Sequence, residues 1–283
     1  MSNTVKTVLL VTHPTRPEAI STANDLAKLL IAKGITVYST IKTDGATEFK
    51  GSDQIDLSVV LGGDGTMLRA AELFRGKQVP ILGINLGHVG FLAEIERPSL
   101  DEIVKAIATG SFSIEERMSL NYQLLRNEKI IQTGWALNEV LVERNDHQMI
   151  DLFVQIDHRP LSRWWCDAVI CATPTGSTAY AYSAGGPVVW PEVDALVLLP
   201  LAAHALFSKP MVVSPKSEIA IDLESDSADL NADGIRRTKL ERNDRVVLTS
   251  DKEDVLLAHI KGATFTDRIV AKFKLPVEGW RGE

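Results

Sequence analysis

Apolar residues along the first third of the chain switch repeatedly between continuous runs and helical spacing. Residues 5–12 (VKTVLLVT) form an apolar run that predicts a buried strand, followed by the loop HPTRP. Over 18–33, Ala19, Ile20, Ala23, Leu26, Ala27, Leu30 and Ile31 recur at helical spacing, and Gly34 supplies the stop. ITVYSTI (35–41), LSVVL (57–61) and VPILGIN (79–85) predict further strands, with a helix from about Thr66 to Phe74 before the last of them. Ser99 and Glu102 have capping-box spacing for a helix reaching about Thr109, which Gly110 ends. Strands alternating with helices imply parallel pairing, so 1–110 is expected to be a three-layer α/β domain.

After Gly110 the pattern shortens and alternates. MSLNYQLLR, ALNEVLVER, DLFVQID, SEIAIDL and DRVVLTS are strand-like, and DHRP (157–160) and SDSAD (225–229) carry turn chemistry. This predicts a mostly antiparallel β-sandwich over 111–262. The remainder, 263–283, including DRIVAKFKLPVEGW, is expected to be either a strand with a linker or a segment packing back on the first domain.

Composition narrows the functional classes. Across 283 residues, 30 Lys and Arg against 37 Asp and Glu give a net charge of −7, without the basic excess of a sequence-independent nucleic-acid binder. Cys166 and Cys171 cannot make a disulfide framework, and no HxxxH, HExxH or paired-Cys spacing suggests a protein metal cage. The longest apolar stretch, 195–207, is broken by Pro200 and His204 and falls short of the ~20 residues a membrane span needs. With no signal-peptide pattern at the start, the expectation is a soluble cytoplasmic protein without membrane or nucleic-acid partners. His88 and His204 stand alone and read as structural histidines, and no GxSxG elbow supports a hydrolase.

Two segments carry candidate chemistry. In LSVVLGGDGTMLRAA, a strand leads through Gly62, Gly63, Asp64, Gly65 and Thr66 into a helix. Such glycines let phosphate oxygens reach backbone N–H groups at a helix N-terminus, whereas a carboxylate there repels phosphate and needs its own reason. Proton acceptance and metal bridging are two such reasons; the alternative is a Gly-rich turn with Asp64 as a cap. In ATPTGSTAY, with SAGGP after it, four hydroxyls, a Pro and a Tyr crowd one loop. That loop suits phosphate and ribose hydroxyls, or is a Ser/Thr-rich turn opening a helix at Thr178. Asn138-Glu139 opens a strand and can hold ribose or base edges, or be solvated. Asp167, after Trp164-Trp165, can be desolvated or paired with a residue such as Arg163. GINLGHVGFL (83–92) reads as a second close-approach loop or as tight turns.

Together these segments resemble the NAD kinase family. The resemblance rests on GGDGTMLRAA (62–71), GINLGHVGFLAEI (83–95), Asn138-Glu139, TPTGSTAYAYSAGGP (173–187), HALFSKPMVV (204–213) and Asp233-Gly234, in family order from about Thr7 to Trp280. GGDGT alone is shared with lipid kinases and 6-phosphofructokinases; the ordered set is far more specific. The resemblance implies an N-terminal α/β domain and a C-terminal β-sandwich, in a homodimer or homotetramer. It implies phosphoryl transfer from ATP or polyphosphate to the 2′-hydroxyl of the adenosine ribose of NAD, giving NADP, with Mg²⁺ or another divalent ion on the donor phosphates. By the same carry-over Asp64 accepts the hydroxyl proton and Gly65 lies against the nucleotide. Asn138, Glu139, Asp167, Thr178, Ala179, Tyr180, Ala181, Tyr182, Ser183 and Ala202 bind or line the dinucleotide pocket, and Arg69 reaches phosphates.

Two departures stand out. Ala168 follows Asp167 where the family has glycine, which implies strain if that position needs positive φ. Trp165 stands where relatives often carry a basic or polar residue, leaving phosphate contacts to Arg163. The competing readings are a GGDGT-type kinase for a lipid or sugar hydroxyl and a non-catalytic NAD(P) sensor. The charge balance argues against the first and the presence of Asp64 against the second.

Overall fold

A computed structural model describes residues 5–87, 90–93, 98–260 and 262–277. The chain divides into two compact units, Met1–Glu116 with Val255–Glu283, and Arg117–Asp254.

In the first unit a seven-stranded sheet has the order Thr47–Glu48, Thr36–Ser39, Thr7–Thr12, Leu57–Leu61, Ile81–Ile84, Val255–His259, Ser113–Arg117. The pairings from the 47–48 edge through to Val255–His259 are parallel. Leu57–Leu61 is buried at every position, as a strand covered on both faces must be. Val8, Leu10, Leu57, Val59 and Leu61 pack in one cluster with helices Pro17–Ala32 and Leu100–Thr109. Gly83 faces the other way: a Cβ there would lie 2.7 Å from the Met67 sulfur, on helix Asp64–Leu73. Helices on both faces make the three-layer α/β architecture. Strands 113–117 and 255–259 fall in the stretch expected to be sandwich, yet they extend this sheet. Their strand character is legible locally, but the sheet they join is set by non-local pairing.

Helix Leu100–Thr109 begins with the expected capping box. The Ser99 side chain accepts the Glu102 N–H, the Glu102 carboxylate accepts the Ser99 N–H, and Gly110 closes the helix in the left-handed region at φ 66°. The stretch expected as strand and linker or as a returning segment contains a helix, Phe265–Phe273, capped reciprocally by Thr264 and Asp267.

The second unit is two six-stranded antiparallel sheets. One runs Arg159–Cys166, Ile150–Ile156, Ile219–Leu223, Arg245–Ser250, Leu120–Arg126, Lys129–Ala136. The other runs Met211–Val213, Leu196–Leu201, Ala168–Ala172, Glu139–Glu143, Ser227–Ala232, Arg236–Glu241. Inward residues of both sheets, among them Tyr122, Leu152, Trp164, Val142, Val169 and Leu230, share one core, so this is a β-sandwich. The two-residue turns Asn127-Glu128 and Asp157-His158 have positive φ throughout, which matches the strand twist of tight hairpins. On the outer face of the second sheet, Leu141, Ile170, Ala172, Val197 and Leu199 are covered by Ala181 and Val189. The hydroxyl-rich loop is therefore the lid of a small second core.

Replacing the Ser99 cap (Ser99→Ala) is expected to lower the stability of the first unit by about 1 kcal/mol, read as a fall in its melting temperature. An unchanged melting curve would contradict the capping role.

Candidate functional site

Candidate chemistry occurs in each unit. In the first, strand Leu57–Leu61 ends at Gly62 and helix Asp64–Leu73 begins two residues later. A Cβ at Gly62 would sit 2.4 Å from the Thr66 hydroxyl oxygen, so the turn closes only on glycine. At Gly63 and Gly65 a Cβ would meet nothing within 4 Å. Their bare backbone borders open space at a helix N-terminus, the arrangement that admits a phosphate oxygen. The Asp64 carboxylate is held in place: Oδ2 accepts the Phe91 N–H at 3.2 Å and Oδ1 the Leu92 N–H at 3.2 Å. Gly90 makes this possible, because a Cβ there would lie 2.2 Å from Asp64 Oδ1. Gly90 is thus a close-approach position, and its guest is a carboxylate of the same unit. Arg69 is exposed one turn along the helix. His88 lies outside the described residues.

In the second unit the site is built on Asp233. Its buried carboxylate accepts backbone N–H groups from Leu137 (2.8 Å), Asn138 (2.7 Å) and Glu139 (3.3 Å), and pairs with Arg236 at 2.9 Å. Arg236 also donates to the Trp135 carbonyl and lies over its ring, 4.8 Å from the centroid. From the other side Thr173 donates its hydroxyl to the Leu137 carbonyl at 2.6 Å and its N–H to the Asn138 carbonyl at 2.8 Å. Gly176 packs so closely that a Cβ would fall 1.9 Å from the Asn138 carbonyl oxygen. Asn138 and Glu139 are therefore gripped between two motifs far apart in sequence.

The hydroxyls of TPTGST serve this scaffold more than an open surface. Ser177 donates to the Pro174 carbonyl and accepts the Val189 N–H, Thr178 donates to the Thr175 carbonyl, and Thr175 receives Arg117. Buried loop backbone must be satisfied internally, and these side chains do it. Ala181 is buried in the outer core, whereas Tyr180, Tyr182, Ser183 and Ala202 are exposed and Asn138, Asp167, Thr178 and Ala179 half-buried.

Glu139 is buried, its carboxyl lies near the Tyr180 N–H, and Oε2 has no partner among the described residues. Burial, with the charge of Asp233 added, pushes the Glu139 carboxyl up to about 8. Burial also raises Asp233, but its backbone N–H donors and Arg236 act in the opposite direction. Against its burial Glu139 has only the Tyr180 N–H, whereas Asp233 has three backbone donors and Arg236. The Tyr180 phenol is raised by desolvation and by the nearby carboxylates of Glu143, Asp167 and Glu139. Tyr180 thus draws together two predicted residues and Glu143, which the sequence reading had not singled out.

Both departures have structural answers. Ala168 sits in regular strand, paired with Leu201 and Glu143, and is not among the positive-φ residues; the left-handed position is Ala202, at φ 51°. Arg163 is not Asp167's partner: it pairs with Glu224 at 3.0 Å and stacks on Phe153, while Asp167 pairs with Arg144 at 3.1 Å. Hydrogen bonding between strand ends places Arg144 beside Asp167, which adjacency in sequence does not reveal. Exposed Trp165 stacks edge-on against His204, whose N–H donates to the Trp165 carbonyl.

Residues 8–112 match the family model of the ATP-NAD kinase N-terminal domain, and residues 137–260 that of the ATP-NAD kinase C-terminal domain. The chain belongs to the NAD kinase family. NAD kinase 2 of Streptomyces coelicolor is 45% identical over 295 residues, covering 99% of this chain and 98% of its own. The NAD kinase of Thermobifida fusca is 45% identical, covering 99% and 92%. Among solved structures, the NAD kinase of Archaeoglobus fulgidus in complex with ATP superposes with a TM-score of 0.74 at 26% identity, covering 95% of this chain and 98% of that one. Yeast NADH kinase complexed with NADH shares the fold, with a TM-score of 0.90 at 22% identity and coverage of 99% and 91%. Membership of the NAD kinase family disfavours the lipid or sugar kinase and the sensor, because both halves match.

A carboxyl raised on folding retains its proton in the native state, so native stability falls as pH rises from the ordinary carboxylate range to about 8. Between pH 6 and pH 9 the wild type is expected to lose more melting temperature than Glu139→Gln. Parallel profiles for the two proteins would show that Glu139 is ionised throughout.

Proposed function

We propose that this chain phosphorylates the 2′-hydroxyl of the adenosine ribose of NAD, using ATP as donor, and releases NADP and ADP. The observation that carries the reading is the Asp64 carboxylate, held by two backbone N–H groups at a helix N-terminus beside bare glycine backbone, in a chain that belongs to the NAD kinase family. As the ribose oxygen bonds to the γ-phosphorus and the bond from that phosphorus to the bridging oxygen breaks, the hydroxyl proton passes to an Asp64 oxygen. Fixing that oxygen in advance is worth more than adding basicity, because phosphoryl transfer is catalysed mainly by positioning and charge stabilisation. Gly65, with Arg69 one turn along, offers backbone and charge to phosphates.

In the same reading, Asn138 and Glu139 hold the dinucleotide through ribose and base groups. Thr178, Ala179, Tyr180, Tyr182, Ser183, Asp167 and Ala202 line its pocket. Ala181 supports them from below, its methyl buried in the outer core. A protonated Glu139 can donate a hydrogen bond from an otherwise acceptor-only group, which suits a ligand oxygen or ring nitrogen.

Mg²⁺ or another divalent ion would be held mainly by the donor phosphates, in the open space bordered by Gly63 and Gly65. When bound it would neutralise phosphate charge. Polyphosphate as an alternative donor and homodimeric or homotetrameric assembly complete the proposal and rest on the family resemblance; a cytoplasmic setting is proposed with them from the sequence pattern. Among the described residues no helix is long and apolar enough to cross a membrane.

End-point NADP formation from NAD with ATP and Mg²⁺ tests the reading. Asp64→Asn should lower kcat by roughly 10²–10⁴-fold with little change in KM for NAD; equal loss in both would make Asp64 a binding residue. Gly90→Ala, which forces the carboxylate off its two N–H donors, should cost about 10²-fold in kcat while leaving Asn138 and Glu139 untouched. A Gly90→Ala enzyme with wild-type kcat would contradict the need for a fixed carboxylate.

A further inference from the structure

Resting on Asp64 as the proton acceptor, we propose that Arg268, on helix Phe265–Phe273, is a positioning residue for that carboxylate. The two N–H groups that hold Asp64 come from Phe91 and Leu92, in a stretch with no helix or strand of its own. Irregular backbone of this kind keeps one geometry only if something outside it holds it.

Helix Phe265–Phe273 grips that stretch twice. The Phe91 ring lies between Phe265 and Phe273, with centroids at 6.0 and 5.8 Å. Arg268, only 2% exposed, donates one guanidinium nitrogen to the Ala93 carbonyl, one residue beyond the Leu92 amide. Its other terminal nitrogen lies 3.1 Å from His259 Nδ1, and His259 Nε2 lies 2.9 Å from the Glu115 carboxylate. Arginine can only donate, so Nδ1 is the acceptor and the His259 proton sits on Nε2, donated to Glu115. The chain of contacts runs from Glu115 in strand Ser113–Arg117, through His259 in strand Val255–His259, to Arg268 and the Ala93 carbonyl. Two sheet strands thereby fix the guanidinium, and the guanidinium fixes the peptides that aim at Asp64. A planar fork can satisfy a carbonyl and an imidazole at once, which a lysine ammonium on its single stem does less well.

The test is a double-mutant cycle with Arg268→Met and Asp64→Asn, singly and together, measuring kcat and KM with NAD and ATP-Mg²⁺ alongside melting temperature. Expected is a fall of roughly ten- to a hundredfold in kcat for Arg268→Met, with KM for NAD within about twofold, and a smaller fall for Arg268→Lys. In the Asp64→Asn background Arg268→Met should lower the residual rate no further, because the carboxylate it positions no longer takes the proton. Equal fold-losses in both backgrounds, or an unchanged kcat, would overturn the positioning role while leaving Asp64 as acceptor. A wild-type rate for Asp64→Asn alone would instead overturn the reading on which the proposal rests. If Arg268→Met does not fold, Phe273→Leu, which trims the half-buried ring against Phe91, takes its place in the same cycle with the same criteria.

Discussion

A carboxylate at the first turn of a helix ordinarily turns to solvent or caps its own backbone. Asp64 does neither, since the N–H groups of Phe91 and Leu92 claim both of its oxygens across the gap where Gly90 has no Cβ. The rest of the first unit is arranged around that constraint. Gly62 closes the turn against Thr66, Gly83 lets Met67 of the same helix settle on the sheet, and the 90–93 stretch is braced by Phe265, Arg268 and Phe273. For the proposed proton transfer, a carboxylate immobilised in advance is in position before substrate binds.

The second unit solves a different problem with the same physics. A three-residue stretch, 137–139, is held by polar groups from two motifs, with the Asp233 carboxylate on its amides and Thr173 on its carbonyls. Buried polar networks are useful only when nearly every member is satisfied. Oε2 of Glu139 is an exception among the described residues. A buried carboxyl with an unmatched oxygen is costly, and such groups are found disproportionately at functional sites.

Dense hydroxyls need not mean a phosphate site. In TPTGST the side chains of Thr173, Ser177 and Thr178 are spent on carbonyls and amides of their own loop and its neighbours. The loop has to be self-satisfying because it roofs the apolar outer face of the second sheet, where water cannot reach its backbone. What it presents outward is the aromatic surface of Tyr180 and Tyr182, with Ser183.

Local physics made much of this legible beforehand. Apolar runs marked Leu57–Leu61 and Ile81–Ile84, helical spacing marked Pro17–Ala32, and the Ser99–Glu102 pair marked the start of Leu100–Thr109, because period and capping act within a few residues. The glycines marked the tight strand-to-helix turn that carries Asp64, because Gly62 leaves no room there for a Cβ. Distance in sequence hid the rest. Strand Val255–His259 pairs with Ile81–Ile84, far back in the chain, Asp167 pairs with Arg144 rather than neighbouring Arg163, and the amides that hold Asp64 lie 27 and 28 residues away. Residue types and periods determine which elements form and which groups can do chemistry. Only tertiary packing decides which carboxylate is fixed, which is pushed up by burial and which hydroxyls are already taken, because each depends on partners and surroundings brought together by the fold.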